Sequence, residues 1–370
     1  MVSIPPISTV KLKQAVAATA VHGSGEFTLT ELGEPSEVGT GGVAFLISEK
    51  FLNDVPHTKA SALVTQSKFA KKVLAKIPAT VGICIECDDA YLGLAHFTKM
   101  IRDMDPVSDW QLDGPVEIPL HPSASIDPTA RLGPGVIVSA RASIGAGSVV
   151  LGNAVIGPEV RIGRDCVIFP GVVIYPRTTL GDRVRVHANA VLGSDGFGYA
   201  RASHESVKIW HIGKLVVGDD VEIGAGTTID RGTIKDTIIE NGVKIDNLVH
   251  IGHNGYVKAH ATVCAQVGTA GNVTIGYGAI VGGKVGVADK LVIGDHAMVG
   301  PMSGVARDVK PREQVMGGLR AIHLREWRKL VVLIEQLPEL YRRVRNLEGP
   351  RDKAPTTNAS KKSKGSRERK

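Results

Sequence analysis

A period of six residues constrains the fold of this chain more than any other feature. Counting in sixes from Ile126 to Leu192 gives twelve positions, and every one of them is aliphatic. A second series runs from Ile239 to Val305 and is interrupted only by Thr269. Such repeats are typical of parallel β-helices, in which each repeat supplies a short strand and stacked coils bury a shared core. The sequence therefore predicts a mainly β fold.

Two insertions break the period between the two series. The longer is "GSDGFGYARASHESVKIWHIGKL" and the shorter is "RGTIKDT". Because stacked strands cannot absorb extra residues without losing register, insertions must leave a β-helix as loops. We therefore expect functional residues in both loops.

The segments on either side of the repeat predict other structures. Residues 1–120 mix helical stretches such as "AYLGLAHFTKMI" with strand-like stretches such as "GVAFLI", which indicates a small α/β domain that ends in the linker "SDWQLDGPVEIPLHPSA". The β-helix should occupy residues 121–318. Residues 319–349 have helical spacing, and Pro338 should kink or split that helix near Leu337. Residues 350–370 form a basic tail with the composition of a disordered segment.

The net charge of +7 does not indicate a nucleic-acid partner, because most of it lies in the tail. Residues 351–370 hold eight Lys or Arg and two acids, which leaves the first 350 residues at about +1. Attraction of the tail to an anionic membrane would be peripheral at most. Without a signal peptide or an apolar run of about 18 residues, we expect a cytoplasmic location.

The period resembles that of the hexapeptide acyltransferase family. The resemblance implies a left-handed parallel β-helix of triangular section, in which three hexapeptides make one coil of 18 residues. A left-handed crossover departs from the usual handedness of parallel strands, so the hand follows from the resemblance and not from the spacing.

The segment "DNLVHIGHN", residues 246–254, concentrates polar side chains in this aliphatic chain. His250, His253 and the later His260 leave a zinc site open as an interpretation, as in γ-carbonic anhydrases, and a purely structural role is another. Alternatively, a histidine can take a proton from an attacking amine or hydroxyl and return it to a leaving thiolate, if a neighbour fixes its tautomer. Asp246 is the nearest carboxylate, and Gly271 lies one coil above His253, with an N–H suited to an oxyanion.

The segments "IGAGTTIDRGTIKDTIIENGVKIDNLVHIGHN" and "LGSDGFGYA" resemble the UDP-3-O-(3-hydroxyacyl)glucosamine N-acyltransferases of lipid A biosynthesis. The resemblance covers nearly the whole chain and implies that His253 is the general base, with Asp246 and His250 orienting it and Gly271 facing the oxyanion. It implies a homotrimer that needs no metal or redox cofactor. The donor would be a 3-hydroxyacyl thioester on the phosphopantetheine of acyl carrier protein, and the acceptor UDP-3-O-acylglucosamine.

The same family holds uracil between aromatic residues of an F-x-x-N-x-x-Y segment, which here reads "FLISEKF". The resemblance assigns Phe45 and Phe51 to uracil, with Ser48 in place of the asparagine, although Phe45 on an alternating strand would equally suit the core. The other expected substrate contacts are Asp195, Phe197, Tyr199, Asn247 and Lys290. An acyl-CoA-dependent sugar acyltransferase and a zinc-binding β-helix remain as alternatives.

Overall fold

The computed structural model describes residues 1–105, 119–203, 205–318 and 321–348. The linker predicted before the β-helix lies mostly outside these residues, and the basic tail lies outside them entirely. The described residues belong to two compact units. The first ends at Gly318, and the second contains the C-terminal helix.

The first unit begins with a mixed sheet in the order β1-β3-β4-β5-β6-β2, whose two edge pairs, β1 with β3 and β2 with β6, are antiparallel. Its elements are β1 (Val2–Ser8), α1 (Thr9–Ala15), β2 (Ala20–Gly23), β3 (Thr28–Gly33), β4 (Gly42–Leu46), β5 (Ala62–Gln66), α2 (Ser67–Leu74), β6 (Ile83–Cys87) and α3 (Ala90–Asp103), with short 3₁₀ turns at Glu49–Asn53 and Val55–His57. Every residue of β4 is buried, because α1 and α3 cover one face of the sheet and α2 the other.

The β-helix follows, and its described strands form three parallel sheets, or faces, of nine, ten and nine strands. The first face consists of Ser125–Ile126, Ser143–Ile144, Arg161–Ile162, Thr179–Leu180, Leu215–Val217, Thr237–Ile239, Tyr256–Val257, Thr274–Ile275 and Val292–Ile293. The second face consists of Arg131–Leu132, Val149–Val150, Val167–Ile168, Arg185–Val186, Glu222–Ile223, Lys244–Ile245, Thr262–Val263, Ile280–Val281, Met298–Val299 and Gln314–Val315. The third face consists of Ile137–Val138, Val155–Ile156, Val173–Ile174, Val191–Ser194, Thr228–Asp230, His250–Ile251, Gly268–Thr269, Gly286–Val287 and Gly304–Val305.

The aliphatic position of each repeat points into the β-helix. Ile156, Ile168 and Ile174 are fully buried, and burying such a side chain stabilises the fold by about 1.5–3 kcal/mol. Paired residues on one face are 18 apart, as in Ile156 with Ile174, so three repeats make one coil. Corner residues adopt the left-handed conformation, for example Asn254 at φ 57°, which asparagine tolerates better than most residues. The predicted left-handed parallel β-helix is confirmed.

The longer insertion packs against the N-terminal domain. Its strands Tyr199–Arg201 and Ser206–Lys208 pair as an antiparallel hairpin, and Ala200 and Ile209 bury themselves against Ala95 of α3. Just beyond the hairpin, the Trp210 N–H donates to Thr98 Oγ1 of α3 at 3.2 Å. The insertion therefore joins the nearby coils to the sheet domain.

The second unit contains α4 (Leu324–Glu348), which runs through Pro338 without a break. A kink or a split is predicted near Leu337; the split is wrong, and the kink stays a prediction. Proline removes one N–H donor, and the helix keeps its other backbone bonds on both sides. None of the described helices is long and apolar enough to cross a membrane.

Candidate active site

His253 lies at the corner where the third face turns into the first. It follows the strand His250–Ile251, in which Ile251 points into the core. The Gly252 N–H donates to Thr269 Oγ1 of the next coil at 3.1 Å, and Asn254 turns the corner in the left-handed conformation. The imidazole of His253 is therefore held on the outside of the corner and remains partly exposed.

Both insertions contribute a contact to the His253 ring. Its Nδ1 lies 3.2 Å from the hydroxyl oxygen of Thr233, in the shorter insertion. Its ring packs edge to face against His211, in the longer insertion, with centroids 5.2 Å apart. If Nδ1–H donates to Thr233, the tautomer leaves Nε2 without a hydrogen, as a general base requires.

Gly271 lies beside Nε2 of His253. A Cβ at residue 271 would come within 2.5 Å of Nε2 and 2.6 Å of Cε1, so a residue other than glycine would collide with the ring. Across the part of the chain that the structure describes, no group accepts a hydrogen bond from the Gly271 N–H. The base and a free backbone donor are thus neighbours, which is the pair that acyl transfer through a tetrahedral intermediate needs.

The surroundings of His253 favour its neutral form. Burial lowers the pKa of His253 below its usual value, an effect that Asp289 and a hydrogen bond to the Asn254 side chain oppose and that Lys290 reinforces. Lys290 lies on the coil above, where its N–H donates to the Gly271 carbonyl at 3.1 Å and its Nζ pairs with Asp289 at 2.6 Å. A neutral imidazole at neutral pH can accept a proton at once.

The structure does not bring Asp246 to His253. Asp246 follows the strand Lys244–Ile245, so it stands at the corner between the second and third faces, one whole face away from His253. Its carboxylate accepts from the N–H groups of Asn247 and Ala265 at 2.7 and 3.1 Å. The prediction that Asp246 orients His253 is wrong within one chain, because six residues along this fold lead to the next corner. Asn247 lies at the same distant corner, where its side-chain oxygen accepts from the Ala225 N–H.

His250 lies on the third face and pairs with a buried carboxylate. Its Nδ1 is 2.8 Å from Thr228 Oγ1, and its Nε2 is 3.6 Å from Asp230 Oδ2. Burial raises the pKa of Asp230 to about 6, against the opposing effects of His250 and of a hydrogen bond from Ser194. His250 therefore has its own partners, and within the described residues it forms no hydrogen bond with His253.

The three histidines considered for zinc do not converge. His250 is on the third face, His253 at the next corner and His260, in the left-handed conformation, at the corner after that. The described residues contain no group of three or more His, Cys, Asp or Glu placed to hold a metal ion. Cys84 and Cys87, which have the C-x-x-C spacing found in some metal sites, are both buried, and burial raises the pKa of their thiols to about 12 and about 11.

The predicted uracil residues separate into one core residue and two surface residues. Phe45 is 5% exposed and packs against Phe97 at a centroid distance of 5.6 Å. Phe45 is a core residue, so the prediction that it stacks on uracil is wrong, because helices cover both faces of β4. Ser48 caps the following 3₁₀ turn by accepting from the Lys50 N–H, while Phe51 remains partly exposed.

The residues predicted from "GSDGFGYA" lie in the longer insertion. Phe197 is 88% exposed and meets Tyr199 edge to face at 5.0 Å. Asp195 pairs with Lys208 at 2.7 Å and Arg102 at 3.8 Å. The intervening Gly196 packs on the base itself, since a Cβ there would lie 2.6 Å from the Cβ of His253. The segment therefore borders the site.

Sequence reasoning did not identify Thr233, His211 or Asn254 as site residues. Thr233 and His211 lie in the two insertions that interrupt the period, so the interruptions pointed to the right segments without identifying the residues. Asn254 accepts from the Thr233 N–H at 2.6 Å and thereby ties the shorter insertion to the corner.

Known proteins share both the repeat and the extent of this chain. Residues 159–194 match the family model described as bacterial transferase hexapeptide (six repeats). A UDP-3-O-acylglucosamine N-acyltransferase of Coxiella burnetii is 33% identical over 354 residues, which cover 92% of this chain and 97% of that protein. Enzymes of the same name from Helicobacter pylori and Herminiimonas arsenicoxydans are 37% and 32% identical, covering 82% and 83% of this chain and 87% and 86% of their own lengths.

Proposed function

Since the chain belongs to the UDP-3-O-acylglucosamine N-acyltransferase family, it is an acyltransferase, and we propose that it moves a 3-hydroxyacyl chain from acyl carrier protein to the 2-amine of UDP-3-O-acylglucosamine in lipid A biosynthesis. The observation that carries the proposal is the contact between His253 Nε2 and Gly271. A base and an oxyanion donor at one corner match the two needs of aminolysis of a thioester.

The chemistry follows from these two groups. The amine nitrogen attacks the thioester carbonyl and forms a C–N bond, while the carbonyl oxygen becomes an oxyanion that accepts from the Gly271 N–H. Nε2 of His253 takes the proton from the amine. When the intermediate collapses, the C–S bond breaks and the departing thiolate recovers that proton from His253. The products are an amide and the free thiol of the carrier, and His253 is neutral again.

A strip of glycines beside this corner suits a long acyl chain. On the third face, Gly268, Gly286 and Gly304 stack in register above His250. Among the residues that the structure describes, a Cβ at each of the three would meet nothing within 4 Å. Two steps between neighbouring strands, each about 4.8 Å, separate the first glycine of the strip from the last, so the strip is about 10 Å long. The space directly over each glycine is therefore open, and a flexible hydrocarbon would fit along the strip.

The open strip also motivates the proposal of a homotrimer. One chain covers only one side of an acyl chain lying on its third face, and a second copy would shield the other side from water. We place the three sites between neighbouring β-helices, without a metal or redox cofactor. Phe51 and Ser48 of the N-terminal domain would contact the uridine group, and Phe197 and Tyr199 of the longer insertion would contact the sugar or the pantetheine arm.

Acyl carrier protein is the proposed donor because its acidic surface would complement the basic residues of α4. Carrier proteins of this kind are acidic, and α4 exposes the basic residues Arg325, Arg328, Lys329, Arg342 and Arg343. Such docking is expected to weaken with salt, since exposed charges are screened. A carrier-dependent reaction places the enzyme in the cytoplasm, with at most peripheral proximity to the membrane.

In the test, the purified enzyme is incubated with UDP-3-O-acylglucosamine as the acceptor. The 3-hydroxyacyl donor is a thioester of either acyl carrier protein or CoA. Wild type should form the amide from the carrier thioester, and His253→Ala should lose activity by about 10²–10⁴-fold. His260→Ala is the matched control, because His260 stands at another corner against Tyr277. Turnover that survives in His253→Ala, or that requires CoA, would refute the proposal, and stoichiometric zinc in the purified protein would favour the metal-site alternative.

A further inference from the structure

His211 is a buried histidine that the acyl-transfer steps do not use. It is 4% exposed, and its Nδ1 lies 3.1 Å from the Ile209 carbonyl oxygen. A carbonyl only accepts, so Nδ1 carries the hydrogen and Nε2 carries a lone pair. Burial lowers the pKa of His211 to about 4, which keeps the ring neutral near pH 7. Within the described ranges, Nε2 is buried without a hydrogen-bond partner.

Two glycines allow His211 and His253 to share one small space. A Cβ on Gly196 would lie 2.6 Å from the Cβ of His253 and 2.9 Å from Nε2 of His211. A Cβ on Gly198 would lie 2.9 Å from Cε1 of His211. The backbone of "DGFG" therefore closes directly on both rings, which meet edge to face at an interplanar angle of 77°.

The residue before His211 is anchored to the N-terminal domain. Trp210 bonds Thr98 of α3 through its N–H. Its indole ring has the Arg102 guanidinium 4.0 Å and the Lys208 ammonium 4.3 Å from the ring centroid, and such cations are attracted to the electron-rich ring face. His211 is thus held in place from the side of α3 as well as by Ile209.

We propose that His211 is a positioning residue for His253, a rigid and uncharged wall that keeps Nδ1 of the base on Thr233 and its Nε2 beside Gly271. The proposal rests on the proposed function in taking His253 as the base. Thr233 fixes one nitrogen of that ring, and Gly271 leaves space at the other. His211 supplies the lateral contact that stops the imidazole from turning away from both.

Removing the His211 ring should change both the pKa and the orientation of the His253 imidazole. The titratable groups that act on His253 are His211, His250, Asp289 and Lys290. Burial is the largest effect on the pKa of His253, so water entering the space left by His211 should raise that pKa towards its ordinary value. A ring free to rotate also loses its near-attack geometry, in which a displacement of about 1 Å costs about 10²-fold in rate.

The experiment compares His211→Ala, which removes the wall, with His211→Phe, which keeps a ring but no nitrogen. His260→Phe is the control for exchanging a histidine next to an aromatic ring at a different corner. The His253 imidazole is titrated by NMR without substrates, and kcat, KM and the pH profile of kcat/KM are measured with the carrier thioester. Thermal unfolding verifies that each variant is folded.

The expected result for His211→Ala is a kcat reduced at least about tenfold, a KM within about twofold of wild type, and a higher titration midpoint for His253. His211→Phe should retain the wild-type midpoint and most of kcat. If His211→Ala does not fold, Gly196→Ala serves instead, because its methyl group would push both rings apart.

Three results would overturn the proposal: an unchanged kcat and midpoint in His211→Ala, a folded His211→Phe that fails as His211→Ala does, or an effect confined to KM. The first result would mean that His211 has no influence on His253. The second would mean that a nitrogen of His211 takes part in the reaction directly, and the third that His211 contacts the substrate. The NMR titration needs no substrate. Absence of acyl transfer in wild type would therefore refute the proposed function, while the titration would still decide the role of His211.

Discussion

Replacing Gly271 with alanine perturbs the proposed site at a single atom. The added Cβ would lie 2.5 Å from Nε2 of His253, whereas an ordinary contact between such atoms is about 3.5 Å. The ring must therefore move by roughly 1 Å, a misplacement that typically costs about 10²-fold in rate. This corresponds to about 2.7 kcal/mol of transition-state stabilisation. His253 is partly exposed and can yield, so the free energy of unfolding should change little.

The assay is steady-state transfer from the carrier thioester, with kcat and KM determined separately for Gly271→Ala. Gly283→Ala is the matched control, since Gly283 occupies the same position of a six-residue repeat, after a strand of the second face. Within the described residues, its Cβ would meet only the Ala265 carbonyl oxygen, at 3.3 Å. The control should retain wild-type kcat. A Gly271→Ala enzyme with wild-type kcat, or one in which KM alone rises, would refute the argument that this glycine makes room for the base.

Four further predictions follow from contacts and pKa values. Phe45→Ala should lower the free energy of unfolding by about 3–5 kcal/mol in urea titrations. Phe51→Ala should raise KM for the UDP-sugar and leave the free energy of unfolding nearly unchanged. A destabilised Phe51→Ala, or a Phe45→Ala with only a raised KM, would contradict the placement of Phe45 in the core and Phe51 at the substrate. Gly304→Met should shift preference towards shorter acyl chains by filling the end of the glycine strip, and an unchanged preference among donors of different length would exclude the strip as the acyl site. Because burial lowers the pKa of His253, the base stays neutral to lower pH, so the acidic limb of kcat/KM should be centred below about 6.5, and a midpoint above that value would contradict it. The pKa of His211 is about 4 in the folded protein, against an ordinary value of 6.5. As the pH falls from 6.5 to 4, the unfolded chain therefore binds a proton before the folded one does, and the free energy of unfolding should drop by up to about 3 kcal/mol. Denaturant titrations should find a smaller drop in His211→Phe.

The period made the β-helix predictable, because a buried aliphatic residue at each sixth position is a local requirement that the sequence states directly. Coil register also placed Gly271 over His253, since both lie in an uninterrupted part of the second series. The same regularity explains the error about Asp246. Proximity in "DNLVHIGHN" suggested a pair, but seven residues along a coil lead past a corner, and side chains at different corners point away from one another.

By itself the sequence determined the fold class, the inward face of each repeat and the two segments that must leave the coil, since all three depend on spacing along the chain. Only the tertiary structure decided which side chains meet His253. Thr233 and His211 reach it from insertions without any period, and the contact of the hairpin with α3 helps to fix the position of His211. The burial of Phe45 was likewise decided by packing, because β4 is covered on both faces and the helix that covers Phe45 comes from a distant part of the chain.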